Sequence, residues 1–242
     1  MTETKPSITS VFVKFAIIVC ICGLIITPFL LYQANGNKIY PSFTKPLIGS
    51  LYAATCLLGM LAVFQPKNCE RAFMFNPLWS LQEKDDSAEG PSLKIRFAGH
   101  HPDCPHFSPN RIKVRRRTLC ASCTGLLIGA LAALFGTALY FFVGVSLTLP
   151  DLAAVLVGYV GLLLGLGQFK LRGYIKLAAN AWFVFGSFLI LAAADTMRTS
   201  LLVDFYVLRL IVFLLITRIS ISEWNNKRIC RECGKCMLKQ EH

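Results

Sequence analysis

The chain has 242 residues, 55% of them hydrophobic and only 16% charged, and its formal net charge is +12 at pH 7. A soluble domain carries about 25% charged residues, so this composition, with a mean hydropathy of +0.55, excludes an ordinary water-soluble globule. The basic excess does not indicate nucleic acid as a partner, because it is concentrated in the segments between long apolar runs.

Six such runs, each long enough to cross a hydrocarbon core of about 30 Å, mark the expected spans: 15–31, 47–64, 123–145, 152–169, 174–194 and 201–219. The first holds Pro28 and reads as an uncleaved anchor, since its apolar core is too long for a signal peptide and no small-residue cleavage site follows. With the second it is expected to form a separate hairpin over 1–65. A long loop over 66–119 comes next, in three parts. Residues 69–81 (with Phe73, Met74, Phe75, Leu78 and Trp79) are amphipathic and suit the lipid interface. Residues 83–90 are polar. Residues 94–119 offer two strand-like pieces, KIRFAG and RIKVRRRTL, around a turn rich in His, Pro and Cys.

The last four spans form the expected bundle over 120–221. The connections 146–151, 170–173 and 195–200 are short enough to pack sequential neighbours antiparallel. Small residues four apart (Gly125 and Gly129, Ala132 and Gly136, Gly161 and Gly165) let helices approach closely in lipid. Residues 222–242 are a cysteine-rich tail.

Most of the Lys and Arg lie in the N-terminus, the 65–119 loop, the 170–173 turn and the tail. The alternate loops hold Lys38, Lys45 and Arg198, and Arg209 lies inside a span. Six helices put all the rich segments on one face. The positive-inside rule then makes that face and both termini cytoplasmic, with the plasma membrane as the location and anionic lipid as a partner.

Of ten cysteines, Cys20, Cys22 and Cys56 sit within spans and are assigned to packing. The other seven fall in cytoplasmic segments, where clustered cysteines bind metal or do redox chemistry rather than form structural disulfides. His101-Pro-Asp-Cys104 followed by Cys120-Ala-Ser-Cys123 has the spacing of two zinc knuckles. Two residues between ligands allow a tight turn to aim both at one ion, and two such turns complete a tetrahedron. His100 and His106 are alternatives to His101. The tail trio Cys230, Cys233 and Cys236 begins as a knuckle, Cys-x-x-Cys-Gly-Lys, and also resembles the opening of an iron–sulfur motif without its closing Cys-Pro. Cys120 and Cys230 fall at the same membrane face, so a site shared by both clusters is expected to be reachable. The cofactors expected are zinc and, at the tail, an iron–sulfur cluster as the alternative. A redox reading of Cys120 and Cys123 lacks the βαβ context of thioredoxin-like proteins.

Cys104, His106, Arg111 and the run Cys120-Ala121-Ser122-Cys123-Thr124-Gly125, leading straight into a glycine-bearing helix, resemble an uncharacterised family of small prokaryotic multi-pass membrane proteins. There the pattern reads Cys-His, an Arg, then Cys-Ala-Arg-Cys-Thr-Gly. In this chain His106 is not adjacent to Cys104, Ser122 stands for the arginine, and the tail trio lies outside the pattern. The resemblance covers some 30 residues. It implies a prokaryotic cytoplasmic membrane and a metal site, and carries no activity with it.

Within the spans, Asn180, Asp204 and Arg209 are the polar residues singled out. The last two are about 140° apart around a helix, so each is expected to find its partner on another helix or in a cavity. No Ser-His-Asp set, phosphate-binding loop, HExxH or paired-carboxylate arrangement is present. The fold class expected is therefore an all-α membrane protein of six transmembrane helices with a small metal-binding module on the cytoplasmic side. The function expected is non-catalytic, a zinc-stabilised module that recognises a protein partner or assists assembly of a complex. The alternatives are a membrane electron carrier with an iron–sulfur cluster, and a lipid-directed enzyme or small transporter using Arg209.

Overall fold

A computed structural model describes residues 8–32, 43–64, 97–98, 101–102, 105–114, 117–197 and 200–233. These are mostly helical. Six long helices occupy the six apolar runs: α1 (Ile8–Tyr32), α2 (Thr44–Phe64), α3 (Ala121–Thr137), α4 (Asp151–Leu166), α5 (Gly173–Met197) and α6 (Leu201–Cys233). Four of them, α1, α2, α5 and α3 with its continuation, are long and apolar enough to cross a membrane. α4 is apolar but has only 16 residues, and α6 carries Asp204, Arg209 and Arg218. The amphipathic 69–81 and polar 83–90 segments lie outside the described residues.

Helix ends follow local chemistry. α3 runs on as a π-helical turn, Ala138–Val143, that closes at Gly144 with φ +85°, a left-handed conformation that glycine adopts without a side-chain clash. α4 begins directly after Pro150 and carries Asp151 in its first turn, where a carboxylate opposes the helix dipole. α6 is the longest helix at 33 residues. It passes the end of the apolar run and continues to Cys233, because the first helix-breaking residue of that segment is Gly234.

The packing order differs from the chain order. α5 sits at the centre and packs most extensively against both α4 and α3, so the helices joined by the 146–151 connection are separated by it. The glycines explain this. A Cβ at Gly125 would lie 2.3 Å from the carbonyl oxygen of Leu177, and one at Gly129 2.4 Å from that of Ala181. From α4, a Cβ at Gly158 would meet the Gly186 carbonyl at 2.7 Å, and Gly161 and Gly165 face Trp182 and Phe183. Both glycine stripes thus face α5, where backbone contact gives dense van der Waals packing in the absence of a water-driven hydrophobic force. Of the third small pair, Gly136 packs on the Phe188 ring, whereas Ala132 is exposed and its neighbour Ala133 is buried.

The first two helices do not form a hairpin of their own. α1 lies along α6 and α2 along α3. Cys20 on α1 donates to the Thr217 hydroxyl on α6 at 3.3 Å, Tyr206 on α6 donates to the Gly23 carbonyl at 2.9 Å, and Tyr159 on α4 donates to the Leu24 carbonyl at 2.7 Å. On α2, the Tyr52 hydroxyl donates to the Val184 carbonyl of α5 at 3.0 Å. Cys20 and Cys56 are buried, as packing cysteines should be, and Cys22 is exposed.

Before α3 come two antiparallel pairs. β1 (Phe97–Ala98) pairs with β2 (His101–Pro102), and β3 (Arg111–Val114) with β4 (Arg117–Cys120). RIKVRRRTL is therefore not one strand but two, folded back so that Arg111 lies opposite Cys120 and Ile112 opposite Leu119. That register buries Ile112. A 3₁₀ helix, Pro105–Asn110, joins the pairs and rests on α5 and α6. Tyr174 fastens the hairpin to the bundle by donating to the Lys113 carbonyl at 2.9 Å.

Candidate functional site

Cys120 is the last residue of β4 and the N-cap of α3, with extended backbone (φ −75°, ψ 121°), and Cys123 sits in the first turn of α3. The strand-to-helix turn thus provides the tight bend that a ligand-x-x-ligand spacing requires. Both cysteines are half-buried. The Thr124 hydroxyl bonds back to the Cys120 carbonyl at 2.9 Å and ties the turn down.

Beneath this turn lies a buried polar network that the sequence reading did not identify. Arg218 on α6 is 3% exposed. Its guanidinium donates to Asn180 Oδ1 from both Nε, at 3.0 Å, and Nη2, and Nη2 also donates to Gln168 Oε1 at 3.1 Å. Ser122, between the two cysteines, approaches the same Gln168 oxygen at 3.4 Å. Asn180 donates to the Lys176 carbonyl at 2.6 Å, and Lys176 Nζ donates to Asn110 Oδ1 in the 3₁₀ helix at 2.7 Å. The Phe183 ring lies 5.7 Å from the Arg218 guanidinium carbon.

The charge balance of this network is unusual. Lys176 and Arg218 are both buried cations, and every hydrogen-bond acceptor they meet is a neutral amide oxygen. Among the described residues neither has a carboxylate partner, the ion pair at the opposite end being that of Lys45 with Asp195 at 3.8 Å. The thiols of Cys120 and Cys123, which carry negative charge when ionised, lie within electrostatic reach of both.

The remaining predicted ligands are placed less fully. β1 lies against β4, which sets the hairpin of His101 beside the strand of Cys120. Cys104 and Cys236 lie outside the described residues. Cys230 and Cys233 fall in the last turns of α6, where a knuckle would bend the chain but the backbone stays helical. At 1.5 Å per residue, Cys230 stands about 18 Å further along the axis than Arg218. Among the described residues no group of three or more His, Cys, Asp or Glu side chains is placed to hold a metal ion.

Arg209 is exposed on α6 and faces away from the bundle, contrary to the expected partner on another helix. Asp204 does face inward, 1% exposed, but its Oδ1 has no hydrogen-bond partner. It lies near Asp195, which accepts from the Tyr140 hydroxyl at 2.7 Å. Asp151, which accepts from Thr196 at 2.8 Å, and Lys45, 3.9 Å above the Tyr140 ring, complete this end of the bundle.

No family model, curated protein or solved structure matches this sequence.

Proposed function

We propose that this chain is a six-span protein of a prokaryotic cytoplasmic membrane, with both termini inside. Its cytoplasmic module is stapled by zinc through His101, Cys104, Cys120 and Cys123 and serves to recognise a protein partner or assemble a complex. The observation that carries this reading is the pair of buried cations beneath Cys120 and Cys123, which have no carboxylate partner among the described residues. Burying an unpaired charge is costly, and an ion held by three thiolates and one imidazole has a net negative charge. Lys176 and Arg218 supply the counter-charge from below, and the N-terminus of α3 adds its dipole in the same sense. Zinc in such a set is closed to substrate and redox-inert, and it contributes folding free energy to a loop too small to hold itself.

The rest of the arrangement supports a platform rather than a catalyst. Lys176, Asn110 and Tyr174 bind the module to the bundle. The iron–sulfur alternative, which needs a loop around its cluster, draws no support from the helical backbone at Cys230 and Cys233.

Metal analysis of anaerobically purified protein tests the reading. The expected preparation is colourless, with about one zinc ion in the module, lost in Cys123→Ser. A brown protein that bleaches on reduction favours the electron carrier, and a metal-free protein with an intact, protease-resistant loop refutes the zinc staple.

A further inference from the structure

Arg209 occupies a position that the module does not explain. It follows Leu201 by eight residues, so it lies about 12 Å along a helix whose apolar part, 201–219, is about 27 Å long. The adjoining contacts give the same depth. Tyr206 bonds to the Gly23 carbonyl and Leu210 packs on Gly23, which is the midpoint of the apolar run 15–31 of α1. On the six-span reading Arg209 therefore sits at mid-bilayer, exposed, with no ion pair or hydrogen bond among the described residues. The surface around it is apolar: Leu202, one heptad away on the same face, is 82% exposed, and Phe205 and Phe213 are half-buried.

An intramembrane arginine ordinarily faces a bundle interior or pairs with an acid. This one cannot turn inward, because Asp204 lies about 140° around the helix with its carboxyl buried on the opposite side. Snorkelling falls short as well, since a fully extended arginine side chain spans about 7 Å at bond lengths of about 1.5 Å. A second copy of this chain offers no counter-charge at that depth. Asp151, Asp195 and Asp204 gather at the far end of the bundle, Glu223 lies beyond the apolar run of α6, and the other acids fall in the N-terminus, the 65–119 loop and the tail.

We propose that the Arg209 face of α6 is a docking surface for a transmembrane helix of another protein that carries an Asp or Glu at mid-bilayer. Docking converts an exposed cation in lipid into a buried interhelical pair, and the apolar surface around it supplies the packing. The partner helix is thereby selected by one carboxylate at one depth. This inference rests on the six-span reading of the fold.

The test uses the full chain, donor-labelled and reconstituted in phosphatidylcholine vesicles, with an acceptor-labelled polyleucine transmembrane helix carrying one central Asp as the probe. Energy transfer should show the Asp helix associating about tenfold more tightly than the all-leucine control, the ratio expected of one interhelical polar bond in lipid. Arg209→Leu should abolish the difference, and Arg209→Lys should retain part of it. Equal association of the two helices with the unaltered chain overturns the proposal, as does a preference that survives Arg209→Leu. An Arg209→Cys variant separates this from the fold. Labelling by a membrane-impermeant maleimide in excess of that of the unaltered chain would defeat the mid-bilayer placement itself, whereas no excess labelling together with no preference for the Asp helix defeats the docking surface alone.

Discussion

Replacing Arg218 by Met separates a charge-balanced site from an accident of packing, because the first predicts a clear loss of stability and the second little or none. Met keeps most of the volume over Phe183 but removes the donors to Asn180 Oδ1 and Gln168 Oε1. Asn180 is 0% exposed and Gln168 2%, so water cannot replace those donors. A buried acceptor left without a donor costs about 1–3 kcal/mol. Gln168 keeps a long contact from Ser122, so the loss should be about 2–4 kcal/mol. Against this stands the relief of removing a buried cation. Where no anion sits nearby, removing a buried charge returns its desolvation cost, on the order of several kcal/mol, which would cancel the penalty. With a thiolate-held metal above it, that relief is absent and the metal loses its counter-charge. Arg218→Met is thus expected to lower the melting temperature in detergent by roughly 5–15 °C, at about 2–4 °C per kcal/mol for a chain of this size, and to lower zinc retention in parallel. Thermal unfolding followed by tryptophan fluorescence, with metal analysis of the same samples, reads both. An unchanged or higher melting temperature with full metal content would refute the charge-balance argument.

Two further outcomes follow from the packing. Gly129→Ala places a methyl against the Ala181 backbone and should destabilise by about 1–3 kcal/mol, while Gly59→Ala, with nothing within 4 Å, should be neutral or stabilising; equal melting temperatures would deny the close α3–α5 crossing. Asp204→Leu removes a buried carboxyl whose Oδ1 lacks a partner, so stability should rise by about 1–3 kcal/mol; a fall would mean that the carboxyl is held by something it binds.

The helices were legible because uninterrupted apolar length is a one-dimensional signal. All six runs became helices, although α1 begins at Ile8 and α6 ends at Cys233, well outside the runs that announced them. Which helices touch is a two-dimensional matter. The short connections named the α4–α5 and α5–α6 neighbours but not the separation of α3 from α4, whose glycine stripes each signalled close packing without naming α5 as the common partner. The Cys120 turn was legible from spacing alone, since strand, N-cap and first helical turn follow from residue order. Its buried cations were not, because Lys176 and Arg218 stand at the ends of their runs, beside the charge-rich segments, and resemble orientation charges. A signal did exist. Arg209 and Arg218 are nine residues apart, which is half a turn in excess of whole turns, so they occupy opposite faces of one helix. Asp204 and Arg218 are about 40° apart and share the buried face. Attention to Arg209 alone picked the outward-facing member of the pair.

The unbroken length of α6 has a mechanical consequence. Its 33 residues contain neither glycine nor proline, so nothing in its sequence introduces a hinge. It is a rod about 50 Å long, some 20 Å longer than a hydrocarbon layer about 30 Å thick. Along it stand an inward carboxyl, an outward arginine, the guanidinium under the Cys120 turn, and Cys230 and Cys233 at the tip. A tilt of about 10° imposed at Arg209 by a neighbouring helix would sweep that tip through roughly 9 Å relative to the far end. Within the bundle, the same tilt would drag Arg218 against Asn180 and Gln168. A small rotation of the helix is thereby turned into a displacement at its tip.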